Sequence, residues 1–285
     1  MKNNVWFITG ASKGLGLSLT KKLLENGYRV AATSRNAKEL QDAVNSTSEN
    51  FLALKVEITD ENSVEAAIKK TVNHFGRIDV VVNNAGYGQI GSLEELTDNE
   101  ARENFNINVF GSLNVIRKAM PYLRAQNSGH IFNVASIGGF NGAFPGFGIY
   151  AATKFAVHGF SESLAAEVKP FGVHVTIVSP GYFRTNFLDA GSLRVPANEI
   201  ADYTVVRATQ NLHQEGLNGN QAGDPEKAAQ VMIEVSNLEK PPLHLFLGQD
   251  AYDLAKAKIK TVQHDMKNVE HLATSTAFEE SLIEL

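Results

Sequence analysis

The sequence predicts an α/β fold in which a doubly wound parallel sheet carries helices on both faces, as a single domain over residues 1–285. Short apolar runs alternate with helix-like segments through the first 180 residues, which is typical of parallel strands joined by crossover helices. Residues 79–82 contain three successive Val, as expected for a strand buried on both faces. Val5–Ile8 leads into a Gly-rich turn and then a helix whose Leu residues recur every four positions.

The remaining elements follow from the same kinds of pattern. Asp60 and Asp224 have the residue type of a helix N-cap, and Thr97 opens a long helix. That helix contains three Asn and a Gly at 104–111, which are poor helix formers, so we expect a distortion there. Further strands are predicted at residues 28–33, 52–58, 130–135, 173–178 and 243–247.

The last third of the chain has weaker patterns. Residues 186–223 are irregular and rich in Gly and Asn, and we expect them to form a substrate-binding lid. Residues 248–285 are expected to form a C-terminal amphipathic helix that runs to about residue 267, with a mobile tail after about residue 274.

Composition excludes several classes of function. The chain of 285 residues is 43% hydrophobic and has a net charge of -5 without blocks of like charge, which argues against nucleic acid or an anionic membrane as a partner. No apolar stretch reaches membrane-spanning length, and a cytoplasmic location is the default expectation. Because there is no Cys, disulfides and thiolate chemistry are excluded, and the scattered His residues predict no metal site.

The first turn has the features of a dinucleotide site. It reads Thr9-Gly10-Ala11-Ser12-Lys13-Gly14-Leu15-Gly16 and joins a strand to a helix within a βαβ unit, the Rossmann-type context that such a site needs. Gly allows the backbone to approach a pyrophosphate closely, and the helix N-terminus offers N–H groups to it.

The end of the second strand indicates which dinucleotide binds. An acidic residue there would bond the ribose 2′-hydroxyl of NAD, but this chain has Ser34 and Arg35. An Arg fork suits a 2′-phosphate, and Lys13 adds a second cation. The sequence therefore predicts NADP(H) in preference to NAD(H).

Tyr150 and Lys154 are four residues apart on a predicted helix and so share one face. An ammonium about 6 Å from the phenol, at an effective dielectric near ~20, favours phenolate by roughly 2–3 kcal/mol. That corresponds to a decrease of about two units in the pKa of the phenol. Such a Tyr could protonate a forming alkoxide or take a proton from an alcohol.

Together these residues resemble the short-chain dehydrogenase/reductase family over roughly residues 3 to 236. The motifs that carry the resemblance, in chain order, are Thr9-Gly10-x-x-x-Gly14-x-Gly16, Asn83-Asn84-Ala85-Gly86, Asn108, Ser136, Tyr150-x-x-x-Lys154 and Pro180-Gly181. The Tyr–Lys spacing of four is similar to that of family members that reduce ketones and oxidise alcohols.

The resemblance implies a role for each matched residue. Tyr150 would be the general acid or base, and Lys154 would lower the Tyr150 pKa and bond the nicotinamide ribose. Ser136 would bond the substrate oxygen, and Asn108 would hold a water that links Lys154 to solvent. The implied cofactor-binding residues, in addition to Tyr150 and Lys154, are Gly10, Ser12, Lys13, Gly14, Leu15, Gly16, Ser34, Arg35, Glu57, Asn84, Ala85, Gly86, Pro180, Gly181 and Thr185.

The sequence departs from the family pattern at three places. Glu57 replaces a usual Asp that bonds the adenine amino group, and the spacing from Ser136 to Tyr150 is one residue wider than usual. The usual C-terminal strand with a Gly-Gly ending is absent. Since family tetramers pair through that end, we expect a homodimer built on the helices that start near Thr97 and Tyr150, with a tetramer as the alternative.

The sequence thus predicts an NADPH-dependent reductase of ketones or aldehydes, reversible as an alcohol dehydrogenase. The aromatic residues near the expected site favour an apolar carbonyl or alcohol substrate. Two alternatives remain open, namely an NAD-linked dehydrogenase working oxidatively and a non-catalytic NADP-sensing protein of the same fold.

Overall fold

The computed structural model describes residues 4–278, and seven parallel strands form its central sheet. The strands are β1 (Val5–Ile8), β2 (Arg29–Ser34), β3 (Phe51–Lys55), β4 (Val80–Asn83), β6 (Gly129–Val134), β7 (Val173–Pro180) and β9 (His244–Leu247). Their order across the sheet is β3-β2-β1-β4-β6-β7-β9, so the chain reverses its winding direction between β1 and β4. Two-residue strands β5 (Gly88–Gln89) and β8 (Leu193–Arg194) pair separately at the edge of the site.

Helices cover both faces of the sheet. They are α1 (Gly14–Glu25), α2 (Ala37–Val44), α3 (Glu61–Phe75), α4 (Asp98–Phe105), α5 (Gly111–Gln126), α6 (Gly148–Val168), α7 (Thr204–Asn211), α8 (Pro225–Ser236) and α9 (Gln249–Ala273). One apolar cluster packs α1 and α8 on one face, and a second packs α3, α5 and α6 on the other. The predicted doubly wound parallel sheet is confirmed.

The expected distortion between α4 and α5 is also confirmed. Residues Asn106–Phe110 form a π-helical turn that joins the two helices. The amides of Asn104 and Asn108 both donate to the carbonyl of Tyr87, at 3.1 and 3.0 Å, so the Asn residues hold the loop after β4.

Three local predictions differ from the structure. The third strand ends at Lys55, so Glu57 lies in the loop beyond it. Helix α2 was not predicted, although Asn36 caps it by accepting hydrogen bonds from the N–H groups of Lys38 and Glu39. The segment 186–223 is not irregular throughout, since it contains β8, α7 and a π-helical turn at Leu212–Leu217. Its predicted role as a lid stays a prediction.

The C-terminal helix α9 extends six residues beyond its predicted end at 267. The predicted mobile tail lies partly outside the described residues, which end at Phe278. Among residues 4–278, the helices are too short or too polar for any of them to span a bilayer.

Candidate active site

The Gly-rich turn between β1 and α1 lies against the loop after β4. Gly10 has a φ of +65°, and a Cβ atom there would lie 2.7 Å from Cα of Ala85. A Cβ atom on Gly16 would lie 2.5 Å from Nδ2 of Asn84, which donates to the carbonyls of Thr9 and Gly10 at 2.9 Å each. Because only Gly fits at these two positions, the turn packs directly against the loop after β4.

The N-terminus of α1 faces a cleft of about 630 Å³. Lys13 is the N-cap residue, and its side chain makes no hydrogen bond to the first turn of the helix. The N–H groups of that turn and the positive end of the helix dipole therefore favour an anion in the cleft. This geometry fits the pyrophosphate of a dinucleotide.

The end of β2 presents Arg35 to the same cleft. Ser34 donates to the carbonyl of Asn36 at 2.6 Å, which holds the turn, and Arg35 is exposed beside it. Glu57 also lines the cleft, with its carboxylate accepting from the Thr59 hydroxyl at 2.9 Å. A guanidinium thus stands where an NAD-selective site would present a carboxylate.

Tyr150 and Lys154 lie one turn apart on α6. Nζ of Lys154 is 5.8 Å from the centroid of the Tyr150 ring and donates to the carbonyl of Val134 at 2.9 Å. Tyr150 and Lys154 are only 8% and 5% exposed, so their polar groups lie in a largely desolvated wall of the cleft.

Burial determines the charge states of this pair. It raises the pKa of Tyr150 to about 12, against a hydrogen bond with Ser136 that acts to lower it. Burial also lowers the pKa of Lys154 to about 8. The predicted decrease in the Tyr150 pKa is therefore wrong for the protein alone, because desolvation disfavours the buried phenolate and outweighs the hydrogen bond with Ser136.

Ser136 and Asn108 complete the predicted set around Tyr150. Ser136 follows β6, and its hydroxyl accepts from the N–H of Gly138 at 3.0 Å. Oδ1 of Asn108 accepts from the N–H of Tyr87 at 3.0 Å, and its amide donates to the hydroxyl of Thr153 at 3.1 Å. The Asn108 side chain thus ties the loop after β4 to α6, and its implied role in holding a water stays a prediction.

Most of the predicted residues line the one cleft. Gly16 and Asn108 lie behind its wall. The others form the wall itself, and they are Gly10, Ser12, Lys13, Gly14, Leu15, Ser34, Arg35, Glu57, Asn84, Ala85, Gly86, Ser136, Tyr150, Lys154, Pro180, Gly181 and Thr185.

Comparison with known proteins agrees with this geometry. The family model for short chain dehydrogenases matches residues 4–193. A relative from Botryotinia fuckeliana named oxidoreductase BOA17 is 39% identical over 253 residues, which is 88% of this chain and 91% of that protein. The chain belongs to the short-chain dehydrogenase family. It is therefore an NAD(P)-dependent oxidoreductase with a small-molecule substrate.

Other relatives of this short-chain dehydrogenase carry more specific names. A protein from Bacteroides thetaiotaomicron named 3-ketodihydrosphingosine reductase is 36% identical, covering 87% of this chain and 89% of its own. The crystal structure of a short-chain dehydrogenase from Streptomyces avermitilis superposes with a TM-score of 0.88, at 36% identity, covering 96% of this chain and 100% of its own. The structure of ElxO with NADP bound superposes with a TM-score of 0.69, at 27% identity, covering 85% of this chain and 96% of its own.

Four polar residues at this site were missed by the sequence reasoning. Tyr182, His213 and Gln221 line the cleft near α6, although they are far apart in the sequence. The carboxylate of Asp250 on α9 accepts from the N–H of Tyr182 at 2.7 Å, so α9 positions the loop after β7. Only the Pro180-Gly181 motif gave a local signal, and it marked the loop without indicating these partners.

The histidines are less scattered than the sequence suggested. His158, Glu162 and His244 bring ligand atoms within 4.8 Å of one another on the face of α6 that packs near β9. Nε2 of His158 forms a hydrogen bond with the hydroxyl of Ser179 at 3.0 Å, and Nε2 of His244 lies 3.9 Å from the Glu162 carboxylate. The predicted absence of a metal stays a prediction.

Proposed function

We propose that this short-chain dehydrogenase is an NADPH-dependent reductase of ketones or aldehydes, reversible as an alcohol dehydrogenase. The proposal rests above all on one observation. The buried Tyr150–Lys154 pair lies beside Ser136 in a cleft that is also lined by the N-terminus of α1. The relative named 3-ketodihydrosphingosine reductase supports reduction of a carbonyl group.

The preference for NADPH is supported by Lys13 and Arg35. Both are exposed cations that line the cleft, Lys13 in the Gly-rich turn and Arg35 directly after β2. Arg is suited to bidentate bonding of a phosphate, whereas a ribose 2′-hydroxyl would favour a carboxylate. A solved relative with NADP bound is consistent with this preference.

The bound cofactor would supply the hydride that passes to the carbonyl carbon. Tyr150 holds its proton at neutral pH because burial raises its pKa to about 12, and a protonated phenol is the form that a general acid needs. Ser136 would bond the substrate oxygen and orient it towards the phenol. Lys154, with its carbonyl contact to Val134, would present its ammonium to the cofactor ribose.

An apolar substrate body is supported by the walls near Tyr150. Phe147 and Leu188 are buried in a cluster with Tyr150, and Phe144 and Phe187 pack against it. The Phe147 and Phe187 rings lie 6.0 and 5.9 Å from the Tyr150 ring, so an alkyl or aryl group on the carbonyl would be enclosed by aromatic side chains.

The test of this proposal is calorimetric titration with NADPH and NADH, followed by NADPH oxidation over a panel of alkyl and aryl ketones. We expect NADPH to bind more tightly and at least one ketone to be reduced. Tighter binding of NADH would favour the oxidative, NAD-linked alternative. Binding of NADPH without reduction of any ketone would favour the NADP-sensing alternative.

A further inference from the structure

A pair of polar side chains lies beside Tyr150 in the substrate half of the cleft. The hydroxyl of Tyr182, in the loop after β7, lies 2.9 Å from Nε2 of His213. Phe147 packs beside both groups, with its ring centroid 6.0 Å from that of Tyr150 and 4.8 Å from that of His213. Tyr182 also lies close enough to Tyr150 to act on the pKa of Tyr150, which it raises. A ligand whose carbonyl meets Tyr150 would therefore present the group next to that carbonyl to the pair.

The direction of the hydrogen bond in this pair can be assigned. Nδ1 of His213 lies 2.8 Å from the carbonyl of Thr209, which can only accept, so Nδ1 carries the proton. Burial lowers the pKa of His213, so the ring is neutral and Nε2 is an acceptor. Tyr182 then donates to His213, and the lone pairs of its oxygen remain available to accept.

Gln221 adds a second polar group to the same part of the cleft. It is 3% exposed, and neither its amide oxygen nor its amide nitrogen has a hydrogen-bond partner among the described residues. The backbone carbonyl of Gln221 accepts a hydrogen bond from Nε of Arg184 at 3.1 Å, which fixes the backbone at this position. A buried amide without partners is unfavourable, and a ligand group would relieve that cost.

We propose that Tyr182, oriented by His213, accepts a hydrogen bond from a hydroxyl or N–H group close to the carbonyl of the substrate. The substrate would thus be a hydroxy- or amido-substituted ketone with an apolar body, and Gln221 would be the further polar contact. This inference rests on the proposed function, because it assumes that the carbonyl lies at Tyr150.

The test compares 1-hydroxy-2-octanone with 1-methoxy-2-octanone. Both carry an oxygen on the carbon next to the carbonyl, but only the hydroxy ketone can donate a hydrogen bond, and the methoxy ketone is larger by one methylene unit. For the wild type we expect kcat/KM to be about tenfold higher for the hydroxy ketone, the value of roughly one hydrogen bond. Tyr182→Phe should bring this ratio close to one. Tyr122→Phe, on α5 outside the cleft, is the matched control and should leave the ratio unchanged.

Calorimetry separates failure of this inference from failure of the proposed function. If no ketone is reduced, the proposed function is wrong, and titration of both ketones into the NADP⁺-loaded protein still measures the donor preference. Equal behaviour of the two ketones in the wild type, in turnover or in binding, would overturn the inference. A ratio that survives Tyr182→Phe would also overturn it, and His213→Leu provides the same comparison if Tyr182→Phe does not fold.

Discussion

The charge of Lys154 should control the pH dependence of cofactor capture. Burial lowers its pKa from 10.5 to about 8, which corresponds to about 3 kcal/mol of desolvation cost for the ammonium. The group is charged below that pKa and neutral above it. About nine-tenths of Lys154 is therefore charged at pH 7 and about one-tenth at pH 9.

The value of kcat/KM for NADPH reports ionisations of the free protein, so it is the appropriate assay. Measured from pH 6 to 10 with a saturating ketone, it should fall about tenfold between pH 7 and pH 9. For Lys154→Met, kcat/KM for NADPH should be low, and its pH profile should lack the decrease between pH 7 and pH 9. A wild-type limb that begins only near pH 10 would refute the reasoning, because it would mean that the Lys154 ammonium is not desolvated.

The remaining predictions concern the cofactor pocket and stability. Arg35→Asp should weaken NADPH binding by about ten- to hundredfold, the value of one charge-assisted hydrogen bond, and should weaken NADH binding less, as measured by calorimetry. Gly16→Ala should destabilise the fold by roughly 1–3 kcal/mol, because its Cβ atom would meet Asn84 and the carbonyl of Gly10. The control is Gly159→Ala, where a Cβ atom meets nothing within 4 Å. Equal melting temperatures for the two variants would contradict this prediction. Burial lowers the pKa of His130 to about 3, so the unfolded chain binds a proton below about pH 6.5 that the folded protein does not. Urea unfolding should therefore show a loss of stability of about 2 kcal/mol from this group between pH 8 and pH 5, and His130→Gln should reduce the total loss by that amount.

The fold was predictable because strands such as β1 and β4 are largely apolar runs and several of its helices have side-chain caps. Thr97, for example, forms a capping box with Glu100, as its sequence spacing allows. The missed helix α2 had a signal of the same kind, since Asn36 is followed three residues later by Glu39 and then by buried Leu40. Helix α7 had none, because the side chain of Tyr203 at its N-cap makes no hydrogen bond to the first turn of the helix.

The site was only partly predictable for a different reason. Motif residues such as Gly10 and Tyr150 are recognisable because their roles depend on local spacing. The contact of Tyr182 with His213 joins residues 31 apart and depends on how the segment after β7 packs. The Tyr150 pKa depends on burial, which the spacing of Tyr150 and Lys154 does not reveal.

The central claim is that Tyr150 protonates the substrate oxygen during NADPH-dependent reduction. The most direct measurement compares Tyr150→Phe with the wild type, and with Tyr122→Phe as a control, for both NADPH affinity and single-turnover ketone reduction. The account predicts that Tyr150→Phe binds NADPH with near wild-type affinity but reduces the ketone at least about a hundredfold more slowly. Reduction by Tyr150→Phe at the wild-type rate would contradict it.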